Sequence, residues 1–215
     1  YGEPKWMPDA RFDTGTPRPG PLVLPGDYTL RLTVDGRLTS QPLSVELDPR
    51  SSASESDLEQ QLDFALGVRG QLARIADMVL TIRGIREQVK DRSARLAENP
   101  VASELVEFGT KLVTDLNAVE EEIHNPHAEV DYDVLAGRHG GAKMYSRLSW
   151  LFNTSADHDG PPTQGMREVA ADIERELAQQ ESVLDGIVTN DLVRINELAS
   201  ELAVPYVVTP EQVKQ

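Results

Sequence analysis

The sequence predicts an α+β chain that is mainly α: an antiparallel bundle of about four helices, preceded by a partial β-sandwich module built on a hairpin. Three observations carry this. Apolar residues alternate with period two across residues 27–48. From residue 54 onward the period lengthens to about 3.6 residues, the helical value. Proline and glycine punctuate the chain where one pattern gives way to the next.

Residues 1–26 are expected to be extended or looped. Pro4, Pro8, Pro17, Pro19, Pro21 and Pro25 exclude a helix and most sheet pairing. Trp6, Met7 and Phe12 are the apolar residues expected to pack onto a neighbour. Tyr28, Leu30, Leu32 and Val34 then alternate with Thr29, Arg31 and Thr33. Asp35-Gly36 supplies a type I′ turn, which places Val34 opposite Arg37 and Tyr28 opposite Leu43. Leu43, Val45 and Leu47 continue the second strand on the face of Tyr28. Pro42 marks that strand as an edge or a bulge. An isolated hairpin is marginal in water, so this one calls for further strands or a helix to pack on.

Asp48-Pro49-Arg50 closes the strand, and Ser51 to Ser54 form a short polar linker. Ser54 and Asp57 are spaced as a helix cap. Leu58, Leu62, Ala65, Leu72, Ile75, Val79, Ile82, Val89 and Leu96 form the stripe of a helix over about 55–98. Gly67, Gly70 and Gly84 are expected to bend it or to let another helix approach. Asn99-Pro100 breaks it. A second helix carries Leu105, Phe108, Leu112, Leu116, Val119 and Ile123, and ends near His124-Asn125-Pro126. Its short connection makes it an antiparallel neighbour of the first. Residues 126–141 read as irregular. A shorter helix carries Tyr145, Leu148, Trp150, Leu151 and Phe152. After a polar loop, the last helix runs from about Thr163 to Ala203 through Met166, Val169, Ile173, Leu177, Leu184, Ile187, Leu192, Ile195, Leu198 and Leu202. Pro205 stops it, and Val207-Val208 leads into a polar tail.

Charge divides the chain at the same place as period. The 215 residues carry 21 Lys and Arg against 36 Asp and Glu, a net charge of −15. Residues 1–53 hold 6 basic and 7 acidic residues, and residues 54–215 hold 15 and 29. Two modules follow: 1–53, the Pro-rich segment with the hairpin, and 54–215, an acidic helical bundle. The anionic surplus argues against nucleic acid and anionic membrane as partners. Cysteine is absent, which excludes disulfides and thiolate chemistry. No apolar run reaches the length of a membrane span. The opening Tyr1-Gly2-Glu3-Pro4 reads as sequence from within a longer protein.

Four clusters invite a chemical reading. His124 and His127, behind Glu120, Glu121 and Glu122, have metal-ligand residue types, but Asn125-Pro126 breaks the helix between them, and a solvated acidic helix end is preferred. Asp157-His158-Asp159-Gly160 lacks the further oxygen ligands of a calcium loop and reads as a polar turn. The Gly-rich stretch Gly137-Arg138-His139-Gly140-Gly141 has no preceding strand and no P-loop lysine, so it reads as an interhelical connection. Asn153-Thr154-Ser155 fits the glycosylation sequon, a pattern short enough to arise by chance. No carboxylate pair or Ser/His/Asp set stands out. No residue is therefore assigned as catalytic, cofactor-binding or metal-ligating, and no cofactor is expected.

Three stretches resemble a known family. Pro21 to Gly36 resembles the pattern G-P-x-V-x-P-G-x-Y-x-V-x-L-x-V-x-G. Gln41-Pro42-Leu43-Ser44-Val45 with Asp48-Pro49-Arg50 resembles T-Q-P-L-x-V-x-x-D-P-R. Asp133-Val134-Leu135, Tyr145-Ser146-Arg147-Leu148, Pro162-Thr163-Gln164 and Asn196-Glu197-Leu198 resemble its later D-x-L, L-x-x-L, P-T-x and N-x-L elements. The family is the C-terminal region of large bacterial BNR-repeat proteins, often labelled glycosyl hydrolase or sortilin-like. Gly137 to Gly141 depart from it, since an apolar-Pro-Ile stretch is usual there. The resemblance implies an Ig-like or fibronectin-like module plus helices, following a β-propeller, in a secreted or periplasmic protein. It implies a non-catalytic accessory or scaffold region whose partner is the propeller. A second reading makes the region part of a secreted glycan-acting hydrolase whose active site lies in the propeller. A third is a metal-binding helical domain.

Overall fold

The computed structural model describes residues 1–5, 7 and 19–210. Strands β1 (Gly26–Val34) and β2 (Arg37–Val45) pair antiparallel around Asp35-Gly36. Both turn residues have positive φ, 49° and 78°, as a type I′ turn requires. Val34 faces Arg37 and Tyr28 faces Leu43, the predicted register. Pro42 lies opposite Thr29 in a two-stranded sheet, where each strand is an edge and a missing donor is tolerated. Leu47 falls beyond the end of β2.

Helix α1 (Glu55–Leu96) has 42 residues, so it spans about 63 Å. Its start is a capping box: the Ser54 hydroxyl accepts the Asp57 N–H, and the Asp57 carboxylate accepts the Ser54 N–H. Among the described residues, a Cβ placed on Gly67 or Gly70 would meet nothing within 4 Å, so neither glycine admits a close neighbour from them. At Gly84 the same atom would lie 3.1 Å from Pro210 Cγ, so what approaches there is the C-terminal segment and not a helix.

Helices α2 (Ser103–Ile123), α3 (Asp131–Leu135), α4 (Met144–Thr154), α5 (Gln164–Gly186) and α6 (Leu192–Glu201) follow. Residues 187–191 join the last two as a π turn, so α5 and α6 form one rod with a widened turn. The Thr163 hydroxyl caps its start by accepting the Met166 N–H.

Cross-links show how the rods lie. Arg83 meets Glu120 and Arg86 meets Asn117, so α2 descends along the upper half of α1. Gln61 donates to the Ser155 carbonyl, which sets the end of α4 beside the start of α1. Gln60 contacts Arg167 and Arg74 contacts Glu181, so α5 ascends parallel to α1. Arg147 reaches Glu176, pairing α4 antiparallel to α5. Helices α2 and α4 therefore follow one another down the side of α1. The four principal helices make an antiparallel bundle of three rods, the middle rod being broken.

The break has its own architecture, with α3 inside a stretch read from sequence as irregular. Buried Asn125 donates from Nδ2 to the Gly141 carbonyl at 2.9 Å and accepts the His127 N–H at 3.0 Å, closing the excursion of residues 126–140 at its neck. Gly141 has φ 65°, and a Cβ there would lie 3.2 Å from Gly137 Cα. Asp133 accepts the N–H groups of Glu129 and Val130, which holds its carboxyl below the usual carboxylate range. Gly137 to Gly141 thus form a tight chain reversal, and α4 starts at Met144 beyond it.

The core runs the length of the three rods. Leu72, Ile75, Val79, Ile82 and Ile85 face Leu105, Leu112, Leu116, Ile123, Leu148, Leu151, Ile173, Leu177 and Ile195, all fully buried. Met7 joins this core, as expected for the opening segment; Trp6 and Phe12 lie outside the described residues. Tyr145 ties that segment down by donating its hydroxyl to the Lys5 carbonyl at 3.1 Å. No described helix is long and apolar enough to cross a membrane.

Candidate functional site

Two surfaces and one buried cluster hold the distinctive chemistry. The first surface is the hairpin. Tyr28, Leu30, Leu32, Val34 and Leu43 share one face and are 37–60% exposed. Among the described residues the two strands pair only with each other, leaving an outward-facing set of backbone N–H and C=O groups along each edge. An apolar face and free edges together are what proteins ordinarily cover or blunt. Here Asp27, Arg31 and Arg37 supply the charge within the strands.

The second surface is a cleft of about 560 Å³ at the root of the hairpin. Pro21, Leu22 and Leu24 form one wall, and Leu58, Leu62 and Phe152 form the other. Val45 and Leu47 line it as well, so the apolar face of the hairpin continues into it. Its acidic residues are Glu46, Asp48, Asp157 and Asp159, and no lysine or arginine lines it among the described residues. Arg50 lies just outside and pairs with Asp48, whose carboxyl it holds below the ordinary value.

The buried cluster joins α1 to α2. The Glu120 side chain is 1% exposed. Its Oε1 accepts from Arg83 Nε at 2.9 Å, and its Oε2 accepts from Arg86 Nη1, which also donates to Asn117 Oδ1 at 2.7 Å. His124 is buried with Nε2 3.2 Å from Arg83 Nη2. A second bridge joins α1 to α5, where Arg74 donates to Glu174 and Glu181. Burial pushes the Glu174 carboxyl up, but Arg74 and Gln71 outweigh it and hold it low. Every anion in both clusters has a cation in contact, so the arrangement cross-links helices.

The clusters singled out from sequence can now be placed. His124 points inward to Arg83, whereas His127 is exposed beside Glu121, with Nε2 3.1 Å from Oε1. The two histidines do not converge, and no group of three His, Asp or Glu side chains does so among the described residues. Asp157 to Gly160 form a turn whose His158 carbonyl accepts from Gln61. Asn153 to Ser155 close α4, where Thr154 and Ser155 turn their hydroxyls back to the Trp150 and Phe152 carbonyls. Sequence reasoning missed Glu120 as distinct from its neighbours, although Leu116, Val119 and Ile123 place it on the inner face of α2. Comparison with protein-family models, with curated proteins and with solved structures returns no match for this chain.

Proposed function

We propose that the chain is a non-catalytic accessory module whose hairpin docks onto a β-structured neighbour, with the β-propeller of a longer secreted BNR-repeat protein as that neighbour. The observation that carries this reading is the apolar face of β1 and β2, uncovered among the described residues, beside two strand edges that are unpaired among them. Free edges offer alternating donors and acceptors, which suit another strand better than a helix or a lipid. The first 53 residues are nearly neutral, with 6 cations against 7 anions, so an apolar β partner meets no charge barrier there. The acidic bundle serves as the rigid, soluble base. The resemblance of Pro21 to Arg50 to the strand motifs of that family supplies the identity of the partner.

The test is association of the chain with the separately expressed propeller, followed by calorimetry. Binding that Leu30→Glu and Leu32→Glu together abolish, with helix content unchanged, is the expected result. Wild-type affinity in the double variant contradicts the reading. So does turnover of a glycan panel by the chain alone, which would favour a hydrolase with chemistry in this region.

A further inference from the structure

Residues 204–210 have no regular secondary structure, yet their backbone is held from two sides. Asn196 of α6 pairs reciprocally with Val207: Nδ2 donates to the Val207 carbonyl at 2.7 Å, and Oδ1 accepts the Val207 N–H at 2.8 Å. Gln88 of α1 does the same with the next residue, donating to the Val208 carbonyl at 2.8 Å and accepting its N–H at 3.0 Å. Each side-chain amide presents the donor–acceptor pair that an adjacent strand would present. Such clamps read backbone and are indifferent to side chains. Selectivity comes from Val207, which is 2% exposed and enters the core. This is the division of labour found where extended peptides are bound.

The resident strap fits its groove imperfectly in two respects. Arg92 of α1 is 7% exposed and donates only Nη1, to the Pro205 carbonyl at 3.2 Å. Its Nε and Nη2 are buried without a partner among the described residues, and burial holds the guanidinium below the usual arginine value. A buried guanidinium with two idle donors is half of a bidentate carboxylate site. The second misfit is the hinge. The α6 terminus is a Schellman motif, with Val204 N–H donating to the Ala199 carbonyl and Ala203 N–H to that of Ser200. The left-handed position is held by Ala203 at φ 54°, where glycine is the unstrained choice.

We propose that the groove between α1 and α6 is a binding site for an extended peptide, that the chain's own strap occupies it in cis, and that an incoming segment bearing an acidic residue two positions before a buried valine displaces the strap by engaging Arg92. The inference stands apart from the hairpin and its partner.

The test uses the full chain carrying Val207→Asp, which empties the valine pocket, and two labelled peptides spanning residues 203–210. One has the native sequence and the other carries Pro205→Glu. In fluorescence anisotropy the acidic peptide is expected to bind at least tenfold tighter than the native one, and Arg92→Met is expected to remove that advantage. A folded variant that binds neither peptide, or binds both equally, overturns the proposal. If the variant does not fold, hydrogen exchange on the wild-type chain decides. Saturating acidic peptide should expose the Val207 and Val208 amides while leaving Ile82 and Leu116 protected. Unchanged exchange at Val207 and Val208 overturns the proposal.

Discussion

Replacing Glu120 by glutamine tests whether the α1–α2 seam depends on a buried charge. The carboxylate is 1% exposed and accepts from two guanidinium groups, Arg83 at Oε1 and Arg86 at Oε2. Glutamine keeps the shape but turns one acceptor into an amide donor facing a cation. A hydrogen bond to a charged group is worth roughly 1.5–3 kcal/mol, and breaking a fully buried pair costs about 3–5 kcal/mol. The Arg83 and Arg86 side chains are 27% and 22% exposed, so water recovers part of that loss. A destabilisation of about 2 kcal/mol is expected. With a urea dependence of about 2 kcal/mol per molar, the midpoint falls by roughly 1 M. The assay is equilibrium urea unfolding at pH 7 followed by circular dichroism. Glu121→Gln on the exposed side is the control and should change stability by no more than about 0.5 kcal/mol. A Glu120→Gln midpoint within error of the control refutes the reasoning, because it would mean that the arginines lose nothing when the shared carboxylate is gone.

Other outcomes follow from the same geometry. Gly67→Ala and Gly70→Ala should each stabilise α1 by about 0.5–1 kcal/mol in urea unfolding, whereas Gly84→Ala should not, because its Cβ would press on Pro210. Ala203→Gly should relieve the left-handed hinge and stabilise by roughly 0.5–1 kcal/mol on the same measurement, with no change in helix content. Burial pushes the Tyr145 hydroxyl up to about 12. The folded state therefore holds this proton more tightly than the unfolded state, and the associated stability is complete below pH 10 and lost between pH 10 and 12. Tyr145→Phe should flatten that part of the stability–pH curve. At the acid end, Asp57, Asp133 and Glu174 are held low in the fold. Their contribution is present above the unfolded carboxylate range, near pH 4, and lost as pH falls through the folded values. Unfolding midpoints should therefore be level from pH 5 to 7 and fall below pH 4.

The parts of the fold that were legible in the sequence are those set by neighbours along the chain. Asp35-Gly36 and the alternation around it determine the hairpin register, and Ser54 with Asp57 determines where α1 begins. What was not legible depends on partners far apart. Asn125-Pro126 reads as a helix end either way; contacts between distant residues, Asn125 with Gly141 and Gln61 with Ser155, bring α4 down the same side of α1 as α2. The π turn at 187–191 leaves the apolar stripe intact and so has no signature in the pattern. Glu120, Glu121 and Glu122 look alike in sequence, and what separates the buried one is its phase relative to Leu116 and Ile123. Val207 and Val208 were visible as an apolar pair after Pro205, but the amide that clamps Val208 lies 120 residues away at Gln88. The acidic composition of residues 54–215 does not indicate which anions are buried and which are solvated.

The docking role of the hairpin is tested most directly by residue-resolved hydrogen exchange of the chain, free and saturated with the propeller. The account predicts that amides within Gly26–Val34 or Arg37–Val45 gain protection along one strand edge while those of α1 at Leu72 to Ile85 stay as they were. Saturation with no slowing in either strand, or protection gained only on the helices, contradicts it.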